Sequence, residues 1–243
     1  MEAIKAFPPG KAAGPDGCEF YKTVSEALAP LLLRMFTDST EINILPKSLY
    51  EATICVMLKR GRETTDPANY RPIALLNFDK NIITKVLADR LNKHATTIIH
   101  PDQTGFIPGR FSFSNVRRLL SILYANQGRG SRAAVISLDA QKAFYQIEWS
   151  YMFEALTRFG FGDSFITWVK MLYACPTSSI LTNNDTSSLF ELQRSVQKGC
   201  PLSPLLFAVT LEPLVTQIRA HPNIQGLKVG NIEMFSLPRY LYF

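Results

Sequence analysis

Two kinds of residue in this chain can do chemistry by virtue of where they stand, an aspartate and a set of cations. Asp139 closes the apolar run Val135-Ile136-Ser137-Leu138, and a helical pattern begins directly after it. A strand ending on a carboxylate is how many sheet enzymes place a metal ligand or a base. The same residue also suits a helix N-cap, where its oxygens accept from the first unpaired N–H groups. The cations gather in turns and on helix faces. Lys59-Arg60-Gly61-Arg62 follows an apolar strand, Lys11 sits in the Pro/Gly loop FPPGKAAGPDG, and Arg110 closes HPDQTGFIPGR. Arg117 and Arg118 fall on the polar side of a helix. Each of these is either a phosphate contact or solvated surface, since cations serve both ends.

Bulk properties narrow the class. The chain has 243 residues, 47% hydrophobic and 19% charged, with a net charge of +6. That composition is globular, and the positive balance favours a polyanionic partner. Cys18, Cys55, Cys175 and Cys200 form no CxxC pair, and His94, His100 and His221 form no HExxH pattern. Zinc sites and a disulfide scaffold are therefore not expected, and a reducing, intracellular compartment is. The first residues, MEAIKAFPPGK, hold no apolar signal core, and no run reaches bilayer-spanning length.

The elements that must position these groups follow from periodicity. Helical spacing covers 19–36, with a break expected at Pro30. Ala52 to Leu58 and YRPIALLN (70–77) read as a hairpin with a cationic tip. Residues 78–99 form an amphipathic helix on Ile82, Ile83, Val86, Leu87 and Leu91, and 114–125 form another, capped by Ser114. The strand 135–138 and a helix from 141 to Gly160 flank Asp139; a further helix spans 163–174. Strands at 178–182 and 188–194 turn at Asn183-Asn184-Asp185, a punctuated loop opens a long helix toward Ala220, and 226–235 turns at Gly230-Asn231. With no repeat, low-complexity tract or composition shift, the chain reads as one continuous domain.

Taken in order, these stretches resemble the reverse transcriptase domain of non-LTR retrotransposons, the LINE type, over nearly the whole chain. GPDGCEFYK (14–22) resembles the extra N-terminal motif, YRPIALLN and HPDQTGFIPGR the finger motifs, ISLDAQKAF (136–144) the first palm motif, and GCPLSPLLFAVTLE (199–212) the second. The resemblance implies an α+β right-hand polymerase. Residues 1 to about 132 would be mostly fingers, and about 133 to 243 mostly an incomplete palm whose antiparallel sheet packs on helices, with the thumb absent. It implies RNA-directed DNA synthesis on an RNA template, from a DNA primer or target and deoxynucleoside triphosphates. Two Mg²⁺ ions assist attack of the primer 3′-hydroxyl in such chemistry. Asp139 matches the first metal-binding aspartate, with the Ala140 carbonyl as a second oxygen. Phe144 matches the aromatic that walls the sugar pocket and excludes a 2′-hydroxyl. Lys59 and Arg71 match finger residues that hold the triphosphate, and Gly199 matches the glycine that allows close approach of nucleotide and template. Lys11, Arg110, Arg117 and Arg118 are further candidates for nucleic-acid contact.

The chain departs from the family pattern in three places. Tyr145 stands where the family usually writes the aspartate of AFD, and Gln197-Lys198-Gly199 replaces Gln-Gly. After GLKVGNIE the family continues to Ala-Asp-Asp, whereas here Tyr240 and Leu241 occupy the two aspartate positions. The expectation is a domain fragment ending before that motif, inactive by itself. Alternatives are a competent enzyme within a longer polypeptide, a non-catalytic RNA- or DNA-binding remnant, and a decayed reading frame.

Overall fold

The computed structural model describes residues 1–8, 18–126, 135–136, 138, 140, 142–197, 199–224, 227–229 and 232–234. Along the chain the helices are α1 (Glu2–Lys5), α2 (Cys18–Thr23), α3 (Ser25–Ile42), α4 (Phe78–Ile98), α5 (Ser112–Asn126), α6 (Trp149–Arg158), α7 (Asp163–Leu172) and α8 (Ser203–Ala220). The strands are β1 (Glu51–Leu58), β2 (Tyr70–Leu76), β3 (Thr177–Thr182), β4 (Asp185–Thr186), β5 (Phe190–Glu191), β6 (Leu227–Val229) and β7 (Ile232–Met234). Two compact units result, interleaved in sequence: Met1–Asp89 with Phe144–Ser203, and Arg90–Ala143 with Pro204–Phe243. Among the described residues no helix is long and apolar enough to cross a membrane.

The first unit is built on a five-stranded sheet in the order β2-β1-β3-β4, with β5 also on β3. The expected hairpin is present, with Ala52 opposite Leu76 and Leu58 opposite Tyr70. The sheet is mixed because β1 takes β3 in parallel, Glu51 beside Thr177 through Cys55 beside Leu181. β2 already occupies one side of β1. β3 reaches the other side after a connection that holds β2 and the helices α4 to α7, and parallel pairing requires a crossover of at least about a dozen residues. Asn183 (φ 48°) and Asn184 (φ 68°) turn β3 back on itself, the left-handed pair of a two-residue hairpin turn. The return leg is two short strands, β4 and β5, rather than one run over 188–194.

Four local expectations are corrected. Pro30 does not end its helix: α3 runs through it, and the chain breaks earlier, at Val24 (φ −107°, ψ 21°). Pro30 and Glu26, whose carbonyl loses its partner, are both exposed, on a side of α3 open to solvent. α5 begins at Ser112, so Ser114 is inside it, its N–H donating to the Phe111 carbonyl. Val135, Ile136 and Leu138 are exposed and not in a strand; no described strand pairs with them, and an apolar run becomes a strand only beside a neighbour. The helix expected from 141 to 160 is a 3-10 turn, Ala143–Gln146, followed after Ile147-Glu148 by α6. At its end Gly160 (φ 76°) lets the Phe161 N–H return to the Leu156 carbonyl, as a glycine C-cap should.

The core of this unit has an aromatic corner, in which Tyr21 and Phe7 tilt against Phe78 beside Ile4 and Ile82. It also contains a cation. Lys80, in the first turn of α4, is 2% exposed, and its Nζ has no hydrogen-bond partner among the described residues. Burial pushes its pKa from 10.5 down to about 8, opposed weakly by the Cys200 and Cys175 thiols. Between about pH 8 and 10 the unfolded chain therefore holds this proton while the folded chain has released it, so stability from this group rises with pH. Urea denaturation of Lys80→Met against the parent should show greater stability for the variant at pH 7 and a difference that shrinks as pH climbs to 10. A pH-independent difference would contradict the buried-cation account.

Candidate active site

The motif residues of the first unit meet at the open edge of β2. Pro72 has no N–H to give to a ladder, so it stands where β2 does not bond β1, as proline must in a strand. Its carbonyl and that of Ala74, two residues along, therefore point to the same, outer side. Both are met. The Tyr145 hydroxyl donates to the Pro72 oxygen at 2.8 Å. Gly199 comes so close to Ala74 that a Cβ there would lie 2.5 Å from the Ala74 oxygen, and its φ of +108° is one that L side chains rarely adopt. The space that glycine leaves is filled by the backbone of β2.

The loop before α8 is pinned to the turn after Asp139 by further bonds. The Val196 N–H donates to the Phe144 carbonyl and the Ser195 N–H to the Ile147 carbonyl, each at 2.8 Å. Trp149 Nε1 donates to the Ser195 carbonyl at 2.8 Å. These bonds explain the interrupted helix. A continuous helix would give the Phe144 carbonyl to the N–H four residues on, and the loop takes it instead. They also hold Ser195 at φ +102°, a strained conformation for a residue with a side chain, which costs about 1–3 kcal/mol. Burial raises the Tyr145 phenol to a pKa of about 12, so it keeps the donated proton well above the pH at which an exposed phenol ionises.

Behind this junction lies a cavity of about 350 Å³, walled by Ile54, Pro72, Ala74 and Tyr145, with Ser178 and Gln197 facing it. By strand alternation Lys59 and Arg71 fall on the opposite face of the hairpin, Arg71 across from Met57 and Lys59 one step beyond the ladder. Lys59 Nζ donates to the Ala68 carbonyl at 2.9 Å and its N–H to the Asn69 carbonyl, so it also closes the hairpin tip. The structure thus brings Phe144, Gly199 and β2 together, and sets Lys59 and Arg71 on one face of the same hairpin. Phe144 and Arg71 are half-buried.

The remaining candidates divide. Asp139 and Lys11 lie outside the described residues; Ala140 is described and exposed. In the second unit, Arg110 is turned inward onto the end of α4. Its guanidinium donates to the carbonyls of Thr96, Ile99, His100 and Gln103 at 2.7–2.9 Å. Thr96 and Ile99 stand at the end of α4 and His100 and Gln103 in the turn after it, where the His100 carbonyl also accepts from the Gln103 N–H, so Arg110 ties the helix C-terminus to that turn. Arg118 pairs with Asp102, a mostly buried carboxylate, whereas Arg117 is exposed. Among the described residues no three His, Cys, Asp or Glu side chains group as a metal site. The expected donors, the Asp139 carboxylate and Ala140 carbonyl, are hard oxygens of the kind Mg²⁺ takes. They are too few among the described residues for any step to be derived through a metal. Sequence reasoning missed Ser195, Trp149 and Ala74; only Tyr145 carried a signal, as a departure from a motif.

Residues 57–235 match the family model described as "Reverse transcriptase (RNA-dependent DNA polymerase)". The chain is 31% identical to the "Transposon TX1 uncharacterized 149 kDa protein" of Xenopus laevis, over 96% of this chain and 18% of that protein. It is 28% identical to the "Retrovirus-related Pol polyprotein from type-1 retrotransposable element R2" of Popillia japonica, over 92% of this chain and 31% of that protein. It is also 28% identical to the "Probable RNA-directed DNA polymerase from transposon BS" of Drosophila melanogaster, over 86% of this chain and 23% of that protein. The chain therefore spans under a third of the curated relatives it matches.

Two substitutions test the junction. Gly199→Ala forces a backbone shift and an unfavourable φ together, and should destabilise by at least about 2 kcal/mol in urea. Tyr145→Phe leaves the Pro72 carbonyl unsatisfied and should cost about 1–3 kcal/mol. A Gly199→Ala chain as stable as the parent would remove the packing account.

Proposed function

The chain belongs to the reverse transcriptase (RNA-dependent DNA polymerase) family of non-LTR retrotransposons, and from that premise we propose that it carries the nucleotide-binding half of an RNA-directed DNA polymerase site. One observation carries this reading. Segments 70–76, 143–147 and 195–199, far apart in sequence and each within a family motif or beside one, are locked together at the edge of β2.

In this reading the hairpin β1–β2 belongs to the fingers and the segments around Asp139 and Gly199 to the palm, divided in sequence near residue 132. Lys59 and Arg71, on one face of the hairpin, bind the triphosphate of the incoming nucleotide, where cations offset phosphate charge. Phe144 stands against the sugar and excludes a 2′-hydroxyl. Its position is set by its own carbonyl, tied to Val196, rather than by a helix. Gly199 keeps the second palm motif against β2, so the floor of the nucleotide site is fixed to the finger strand. Asp139, with the Ala140 carbonyl, would hold Mg²⁺, which would supply charge stabilisation to phosphoryl oxygens. The partners are an RNA template, a DNA primer or target, and deoxynucleoside triphosphates.

The same residues predict that this chain does not synthesise DNA by itself. Tyr240 and Leu241 stand where the pattern has aspartates. One carboxylate does not organise two metal ions of the in-line mechanism. A second reading, nucleic-acid binding without catalysis, is favoured by the net charge of +6. Primer extension with the purified chain, Mg²⁺, homopolymer RNA and a DNA primer should give no incorporation. Filter binding to the same template–primer should fall steeply with salt as phosphate contacts are screened. Incorporation that disappears in Asp139→Ala overturns the inactivity prediction, and salt-insensitive binding overturns the electrostatic one.

A further inference from the structure

From Gln103 to Leu138 the chain contains no Asp, Glu or Lys, and its five charges are all arginine: Arg110, Arg117, Arg118, Arg129 and Arg132. α5 lies within this tract. On its inner side Asn115 is buried and bonds Thr104 Oγ1 and the Asp102 carbonyl, Ile122 is buried, and Arg118 pairs with Asp102. On its outer side Phe113, Arg117, Leu120 and Tyr124 recur at helical spacing and are all exposed, Phe113 by 70% and Tyr124 by 68%. Phe111, just before the helix, is 71% exposed. An amphipathic helix normally turns such a stripe inward.

We propose that this outer face of α5 is a seat for single-stranded nucleic acid, its bases stacking on Phe113 and Tyr124 and its backbone paired with Arg117. The proposal rests on the nucleic-acid partner named above and adds the surface and the strandedness. The chemistry favours this occupant over a protein partner. Aromatic faces are sequence-tolerant stacking platforms for unpaired bases, which a duplex keeps hidden. Arginine both stacks on bases and forks onto phosphate, unlike lysine, and the tract uses arginine alone. No carboxylate stands within the tract to repel a phosphate chain. From Phe113 to Tyr124 the helix rises about 16 Å at 1.5 Å per residue. That accommodates about five stacked nucleotides at 3.4 Å each.

The test is fluorescence anisotropy of the full chain with a labelled RNA of about a dozen nucleotides, the DNA of the same sequence, and the RNA–DNA hybrid. The variant F113A/Y124A should bind both single strands on the order of a hundredfold more weakly, since each stack is worth roughly tenfold. Its hybrid binding should change less than about twofold and its salt dependence should be unaltered. F113W/Y124W should restore the affinity, and R117Q should lower the salt slope by about one. All substituted side chains are exposed, so thermal melting should match the parent. Single-strand affinity within about twofold of the parent in F113A/Y124A overturns this seat while leaving nucleic-acid binding intact. An equal loss on the hybrid overturns the strandedness and with it the proposal. A parent chain that binds none of the three probes overturns both this inference and the reading beneath it.

Discussion

A strand with an open edge has to be answered by something, and in the first unit the answer organises everything near it. β2 presents the Pro72 and Ala74 carbonyls away from β1, and two segments from much later in the chain close over them. An unanswered edge is a template for pairing with another chain. Here closure is achieved without a further strand, by one phenol and one glycine. That economy is why the turn at Phe144 and the loop at Ser195 have so little latitude. Each is bonded to the other as well as to the edge, and Ser195 holds a left-handed φ because its N–H and its carbonyl are both committed.

Charge is used in two distinct ways. Arg110 and Arg118 act as internal fasteners, one on the carbonyls ending α4 and the other on Asp102. Arg219 does the same for Glu212, buried on α8, at 3.0 Å. Breaking such pairs leaves a buried charge or a set of carbonyls without partners, which is why they stabilise by their presence more than by their net attraction. Arg117 and the tip residues Arg60 and Arg62 are exposed and contribute little to folding. A basic composition therefore says less about binding than the division between these two groups does.

Local order was legible where neighbours in sequence decide it. The hairpin 51–76, the helix 78–98, the Asn183-Asn184 turn and the Gly160 cap all follow from alternation, periodicity or turn chemistry. What was not legible shares one cause, a partner distant in sequence. The helix after Asp139 stops because Val196 takes the Phe144 carbonyl. Arg110 faces inward because α4 ends beside it. The sheet is mixed because β3 returns to β1. Pro30 is the exception, a breaker tolerated because its side of α3 meets water. For the site, the motifs named Phe144, Gly199, Lys59 and Arg71. That Gly199 abuts Ala74, and that Tyr145 reaches Pro72, is a property of the folded chain alone.

The parallel pairing of β1 with β3 also sets a timetable. β1 and β2 lie close in sequence and can zip as a hairpin soon after they leave the ribosome. The other side of β1 must wait for Thr177 to Leu181. Through the synthesis of everything between, the hairpin carries Ile54 and Cys55 on a bare inner edge. Non-local pairing of this kind folds slowly and leaves nascent chains prone to self-association. The interval between Glu51 and Thr177 is thus the stretch of translation over which one edge of β1 has no native partner.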